Sequence, residues 1–307
     1  MNKQRLPYWD NLKGILILLV VFGHLLQFLP GGSETAVYKW IYSFHMPLFV
    51  FCSGRMASFA PKKILLSLLL PYVLLQVVCC LCTGQTVQLI TPYWMLWYLP
   101  ALAVWRFSIP LLNLAPKKAA PVVVLLLMAI GCAVGYIDQI GYTFTLSRIF
   151  VFMPYFAAGY YVKKGEFPTP EQVKSPAVKW LFAVLSAAIS VMCIVFAAKL
   201  RAEWLYGTYS YRAGEYNIAV RTVQYAAAAV IGTAILYLTP KQRTVFTAWG
   251  CESFTLYIAH IVFLPAMQAL LPVFSLPLQY TICVITSIAF CAVVPAIKNQ
   301  LLKRAYR

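Results

Sequence analysis

The amino-acid sequence predicts an all-α integral membrane protein: a single bundle of about ten transmembrane helices with both termini cytoplasmic. Three observations predict it. The chain is 62% hydrophobic and only 11% charged, with a mean hydropathy of +0.77, where a soluble domain carries about 25% charged residues. Apolar segments long enough to cross a bilayer recur from end to end. The basic residues fall in short clusters between those segments. That placement accounts for the net charge of +17 by membrane topology, so no nucleic-acid partner is expected.

The first apolar segment covers residues 12–29 and is stopped by Pro30, Gly31 and Gly32. It is longer than a signal-peptide core of about 7–15 residues and no small-residue cleavage site follows it, so it is read as a retained helix. The next segments are 38–56, 64–82, a tryptophan-rich stretch at 93–112, and 121–137. The sixth, 148–162, is short for a span. The last four are 180–198, 219–238, 254–271 and 276–297. The length fits one domain over residues 1–307, with no large soluble domain attached.

Charge sets the orientation. With the N-terminus cytoplasmic, the inner clusters are Lys3/Arg5, Arg55/Lys62/Lys63, Lys117/Lys118, Lys163/Lys164/Lys174/Lys179, Lys241/Arg243 and Lys298/Lys303/Arg304/Arg307. They hold 17 basic residues, against 6 outside (Lys39, Arg148, Lys199, Arg201, Arg212 and Arg221), with Lys13 and Arg106 at membrane edges. The opposite orientation inverts the bias. The longest outer loop, 199–217, is aromatic and basic, which suits sugar stacking and suits an interfacial aromatic belt equally.

The nine cysteines read as small apolar packing residues. The three histidines are more telling, because each falls inside an apolar segment. Ionisable groups within spans are costly, usually face the bundle interior and mark functional sites by default. His24 lies eleven residues after Lys13, on the same helix face and about 16 Å along the axis. His45 lies ten residues before Arg55 on the returning helix, so a similar depth is expected. His260 enters from the ninth segment. Histidine suits proton transfer near neutral pH. No His-x-x-x-His pair or adjacent carboxylate completes a familiar metal site, so no metal is expected.

Lys13 has Asp10 one turn before it. Lys13 and Arg55, which end the first two helices at the same surface, are with Lys62, Lys63 and Arg106 candidates to hold the phosphates of a cytosolic cofactor, and for Lys62 and Lys63 positive-inside topology is the preferred explanation. Arg148 opens a span on the outer side, either to contact an acceptor or to snorkel. Trp94, Trp97 and Tyr98 suit a cavity wall or an aromatic belt. Pro47 should bend the second helix beside His45, and Ser53-Gly54 permits close helix approach.

These residues together resemble the membrane-bound acyltransferase family 3, and within it the fucose 4-O-acetylase-like group. The matching pieces are Asp10-Asn11-Leu12-Lys13-Gly14 through Gly23-His24, then Ser43-Phe44-His45-Met46-Pro47 through Ser53-Gly54. Weaker matches follow at Trp94–Leu99, Ser147–Tyr160 and Thr255–His260. The resemblance implies a multi-pass O-acyltransferase of the cell (inner or plasma) membrane. It implies transfer of acetyl from cytosolic acetyl-CoA to a hydroxyl of a cell-surface glycan or its lipid-linked precursor. The family's first-helix motif, a basic residue, ten intervening residues and a histidine, falls on Lys13 and His24. Many members carry arginine there; lysine keeps the charge and gives up the bidentate fork. Relatives with an extracytoplasmic hydrolase-like domain imply that any such partner here is a separate protein.

On this reading His24 is the general base or an acyl-carrying nucleophile. His45 positions it or the thioester, and Asp10 orients Lys13. Lys13 and Arg55 bind acetyl-CoA; Arg148, Trp97 and His260 contact the acceptor. The rival class is a proton-coupled transporter or flippase of a lipid-linked sugar or small metabolite, with the histidines as a proton relay. The internal repeats and paired broken helices common in transporters are not seen in the sequence.

Overall fold

A computed structural model describes residues 7–169 and 172–305. Lys3, Arg5 and Arg307 of the expected inner clusters lie outside the described residues. Those residues are helical, with no strand among them. The main helices are α1 (Pro7–Leu26), α2 (Ala36–Met56), α3 (Pro61–Cys82), α4 (Tyr98–Phe107), α5 (Ala120–Ala133), α6 (Leu146–Lys164), α7 (Pro176–Val195), α8 (Ile218–Leu238), α9 (Val245–Cys251), α10 (Ser253–Leu270) and α11 (Leu276–Ala305).

Among the described residues, seven helices are long and apolar enough to cross a membrane: α1, α3, the stretch around α5, α7, α8, the stretch around α10, and α11. The protein is thus a multi-pass membrane protein. The other three expected spans differ in kind. The segment 38–56 forms α2, which has spanning length but is diluted by Lys39, Ser43, His45, Ser53 and Arg55. The segment 148–162 lies in α6, which carries Arg148 and Pro154 and ends on Lys163 and Lys164. The segment 93–112 is broken into a 3₁₀ turn at Trp94–Trp97, then α4, then a short helix at Ile109–Leu112. Pro110 explains the last break, since its ring opposes helical continuation from the residues before it.

The chain divides into two compact units. The first comprises Met1–His45, Pro176–Ala202 and Val230–Arg307; the second comprises Met46–Ser175 and Glu203–Ala229. In the first, α1 packs most extensively on α9 and also touches α10 and α11. Gly14 and Gly250 make the α1–α9 approach possible. A side chain at Gly14 would strike the Phe246 carbonyl, and one at Gly250 the Asp10 carbonyl. In the second unit α5 and α4 pack on α6. There Gly54 lies against the Phe156 backbone, so the close approach expected at Ser53-Gly54 is made to α6.

Candidate active site

The entrance of α1 is held by a polar hub. Asn11 is fully buried. Its amide nitrogen donates to the carbonyls of Pro240 and Gln242, at 2.8 and 2.7 Å. Its amide oxygen accepts from the hydroxyls of Thr244 and Thr247, at 2.8 and 2.6 Å. The two threonines also form the capping box that starts α9. Every hydrogen-bonding direction of the amide is therefore used, as a buried amide requires. The hub fixes the rotation of α1, and with it the direction of the side chains one turn on. Asp10, also buried, pairs with Lys13 at 2.8 Å, as their spacing predicts. An open cavity of about 340 Å³ lies beside Asp10, bordered by Arg243, Thr244, Thr247 and Cys251.

At the other end of α1, His24 lies in the last helical turn, because α1 starts earlier and stops sooner than the apolar run suggested. The His24 ring stacks on His260, with centroids 5.6 Å apart and planes at 27°. His24 Nδ1 lies 3.2 Å from Gln27 Oε1 and 3.3 Å from the Tyr42 hydroxyl. The Gln27 amide nitrogen donates to the Tyr38 hydroxyl at 2.5 Å, so its oxygen is the end facing the imidazole. Nδ1–H then donates to that oxygen, and Nε2 keeps the lone pair.

The other two histidines are buried and share this tautomer. His45 Nδ1–H donates to the Ile41 carbonyl at 2.8 Å. His260 Nδ1–H donates to the Tyr257 carbonyl. A carbonyl only accepts, so both rings carry the proton on Nδ1 and offer Nε2 as acceptor or base. His260 Nε2 is buried with no hydrogen-bond partner among the described residues. Tyr42 links the set: its ring lies 4.5 Å from His45 and 6.4 Å from His24, and it stacks on Tyr38 at 3.9 Å. Pro47 lies within α2, which continues to Met56.

The first unit thus brings together Asp10 with Lys13, and His24 with His260 and, through Tyr42, His45. Asn11, quoted above only as part of the Asp10–Gly14 motif, completes the arrangement with Gln27, Tyr38 and Tyr42, which were not singled out from the sequence. Their signal was spacing: Gln27 follows His24 by three residues, and Tyr38, Tyr42 and His45 share a face of α2. Among the described residues, no group of three or more His, Cys, Asp or Glu side chains could hold a metal ion.

Arg55, Trp97 and Arg148 belong to the second unit. The Arg148 guanidinium lies 4.7 Å from the Trp97 ring centre and 5.2 Å from that of Tyr142, and its Nε donates to the Tyr206 carbonyl at 3.1 Å. It is held between aromatic faces, a geometry suited to a planar cation. Trp97 is buried and stacks on Phe152. Burial pushes the Tyr142 hydroxyl up from its ordinary pKa, against the pull of Arg148. Arg55 lies in the last turn of α2. Arg106 donates to the Ser58 carbonyl at 3.1 and 3.2 Å and Lys163 to the Ala57 carbonyl, so both tie down the turn after α2. In the loop 199–217, Tyr211 and Tyr216 face the buried Arg221 guanidinium at 5.0 and 5.3 Å, which engages two of the aromatics that composition offered to a sugar.

A family model described as an acyltransferase domain matches residues 6–294. The chain belongs to acyltransferase family 3. The matched stretch contains every candidate residue from Asp10 to His260. Over 55 residues the chain is 49% identical to nodulation protein NolL of Sinorhizobium fredii, and equally so to that of Mesorhizobium japonicum. Each of these matches spans 16% of this chain and 15% of the relative. No solved structure matches.

Proposed function

We propose that this acyltransferase moves an acetyl group from cytosolic acetyl-CoA to a hydroxyl of a cell-surface glycan or its lipid-linked precursor, in the cell membrane, with both termini cytoplasmic. The observation that supports the reading most is the His24–His260 stack, in which each ring is hydrogen-bonded at Nδ1 and the buried His260 Nε2 has no hydrogen-bond partner among the described residues.

His24 Nε2 takes the proton of the acceptor hydroxyl as its oxygen attacks the thioester carbonyl. The tetrahedral intermediate collapses with cleavage of the C–S bond, and the imidazolium returns its proton to the departing thiolate. The products are the acetyl ester and free CoA. His260 Nε2 accepts a hydrogen bond from the acceptor and orients it. His45 acts through Tyr42, which lies against its ring and near His24 Nδ1. Asp10 holds Lys13, whose charge attracts the donor's phosphates. In the second unit, Arg55 is assigned to donor phosphate, and Arg148 with Trp97 to the acceptor's sugar.

The test is transfer of label from radiolabelled acetyl-CoA to candidate glycans by purified protein. The reading expects labelled glycan from the wild type and none above background from His24→Ala. Labelled glycan formed at equal rates by both would refute the assignment of His24.

A further inference from the structure

The second unit holds a cavity of about 390 Å³ that no role above uses. Its size falls in the range of small-molecule sites, about 300–1,000 Å³. Its lining residues include Tyr93, Trp94, Tyr142, Gln85 and Gln88. No charged side chain is among its lining residues.

The cavity is built on a braced loop. Gln76 of α3, buried within an apolar helix, donates to the carbonyls of Gln88 and Thr91, at 2.7 and 3.0 Å, and accepts from the Tyr93 backbone N–H at 2.7 Å. Tyr72 donates to the Leu89 carbonyl at 2.7 Å, and the Phe144 N–H to the Ile90 carbonyl at 2.8 Å. Trp94 has a φ of 34°, in the left-handed region that residues with side chains rarely adopt, and its carbonyl accepts from the Tyr142 hydroxyl at 3.2 Å. Outlying backbone of this kind clusters at ligand sites. The bracing spends the backbone groups of the loop and leaves side chains over. Gln85 and Gln88 are exposed and Tyr93 is half-buried, so their polar ends are open to a ligand.

We infer that this cavity binds one neutral sugar residue, stacked on an aromatic ring and hydrogen-bonded by the Gln85 and Gln88 amides and the Tyr93 hydroxyl. Planar amides and a phenol pair with hydroxyls in both directions, and a ring face covers the C–H side of a pyranose. No lining residue carries a charge to pair with a carboxylate, and the neighbouring Arg148 is engaged by the Tyr142 and Trp97 rings and the Tyr206 carbonyl. The inference rests on the glycan-acceptor reading and adds this cavity to the contacts proposed for that acceptor.

The full-length protein in detergent tests it by tryptophan fluorescence against methyl glucoside, methyl N-acetylglucosaminide and methyl glucuronide. The expected result is saturable quenching by the neutral glycosides, lost in Trp94→Phe, with at least fivefold weaker binding in Gln88→Ala and in Tyr93→Ala. Gln88 is exposed, so its truncation leaves folding intact. In the transfer assay the same two variants raise the acceptor KM by a similar factor and leave the acetyl-CoA KM as it was. No saturable quenching, equal quenching in Trp94→Phe, or tighter binding of the glucuronide would overturn the inference. If quenching is found but no glycan is ever acetylated, the cavity stands as a sugar site and the acceptor reading falls. If glycan is acetylated and neither affinity nor acceptor KM moves in the variants, the acceptor reading stands and the cavity falls.

Discussion

His24 and His260 stack at 5.6 Å, and His260 Nε2 is buried without a hydrogen-bond partner among the described residues. Such a group normally finds a partner or weakens the fold. Here the missing partner is assigned to substrate. His260→Phe keeps a stacked ring and deletes the acceptor nitrogen. It is expected to lower kcat about 10- to 100-fold, the size of one strong hydrogen bond made in the transition state, with protein levels unchanged. A variant within twofold of wild type would remove His260 from substrate contact.

Gln27 is a positioning residue, acting through the Nδ1 atom of His24. Gln27→Leu removes the acceptor of Nδ1–H and should lower kcat about tenfold, the effect of about 1.4 kcal/mol. Gln27→Glu keeps an acceptor oxygen for Nδ1–H and should recover much of that loss, although its bond to Tyr38 changes. Steady-state kinetics on the two variants distinguish this from a packing effect, which would not favour Glu over Leu.

The Asp10–Lys13 pair predicts a donor-side phenotype. Asp10→Asn should raise the acetyl-CoA KM about 5- to 10-fold by loosening Lys13, on the scale of a hydrogen bond to a charged group, about 1.5–3 kcal/mol in full. Lys13→Arg should retain donor binding, since the charge stays. Acetyl-CoA titrations of both variants check this, and an unchanged KM in Asp10→Asn would separate the pair from the donor.

What the sequence made legible, and what it hid, follows from which signals are local. The apolar runs of α3, α7, α8 and α11 announce themselves, because membrane solvation selects long uninterrupted hydrophobic stretches. The segment 93–112 does not, because composition alone cannot tell a span from a 3₁₀ turn followed by two short helices. The Asp10–Lys13 pair was readable from helical spacing. The His24–His260 stack joins residues far apart in the chain, and only the shared oddity of histidines in apolar runs hinted at it. Asn11 gave no local sign, since its four partners lie more than 200 positions away. Arg221 looked like an ordinary outer-loop cation and is buried against tyrosines.

Asn11 makes a stability prediction. Asn11→Leu leaves the Pro240 and Gln242 carbonyls and two threonine hydroxyls without its amide, each loss worth about 1–3 kcal/mol where burial is retained. The variant should melt well below wild type in detergent. Asn11→Asp should also destabilise, because it turns a carboxylate oxygen towards two carbonyls. Melting curves that overlay the wild type would show that the hub does not hold α1.

The most direct test of the account is the single-turnover rate of acetyl transfer by His24→Ala, purified to the same yield and melting temperature as wild type. The account predicts a fall of at least about 100-fold, the lower range for loss of a general base. A rate within threefold of wild type would contradict it.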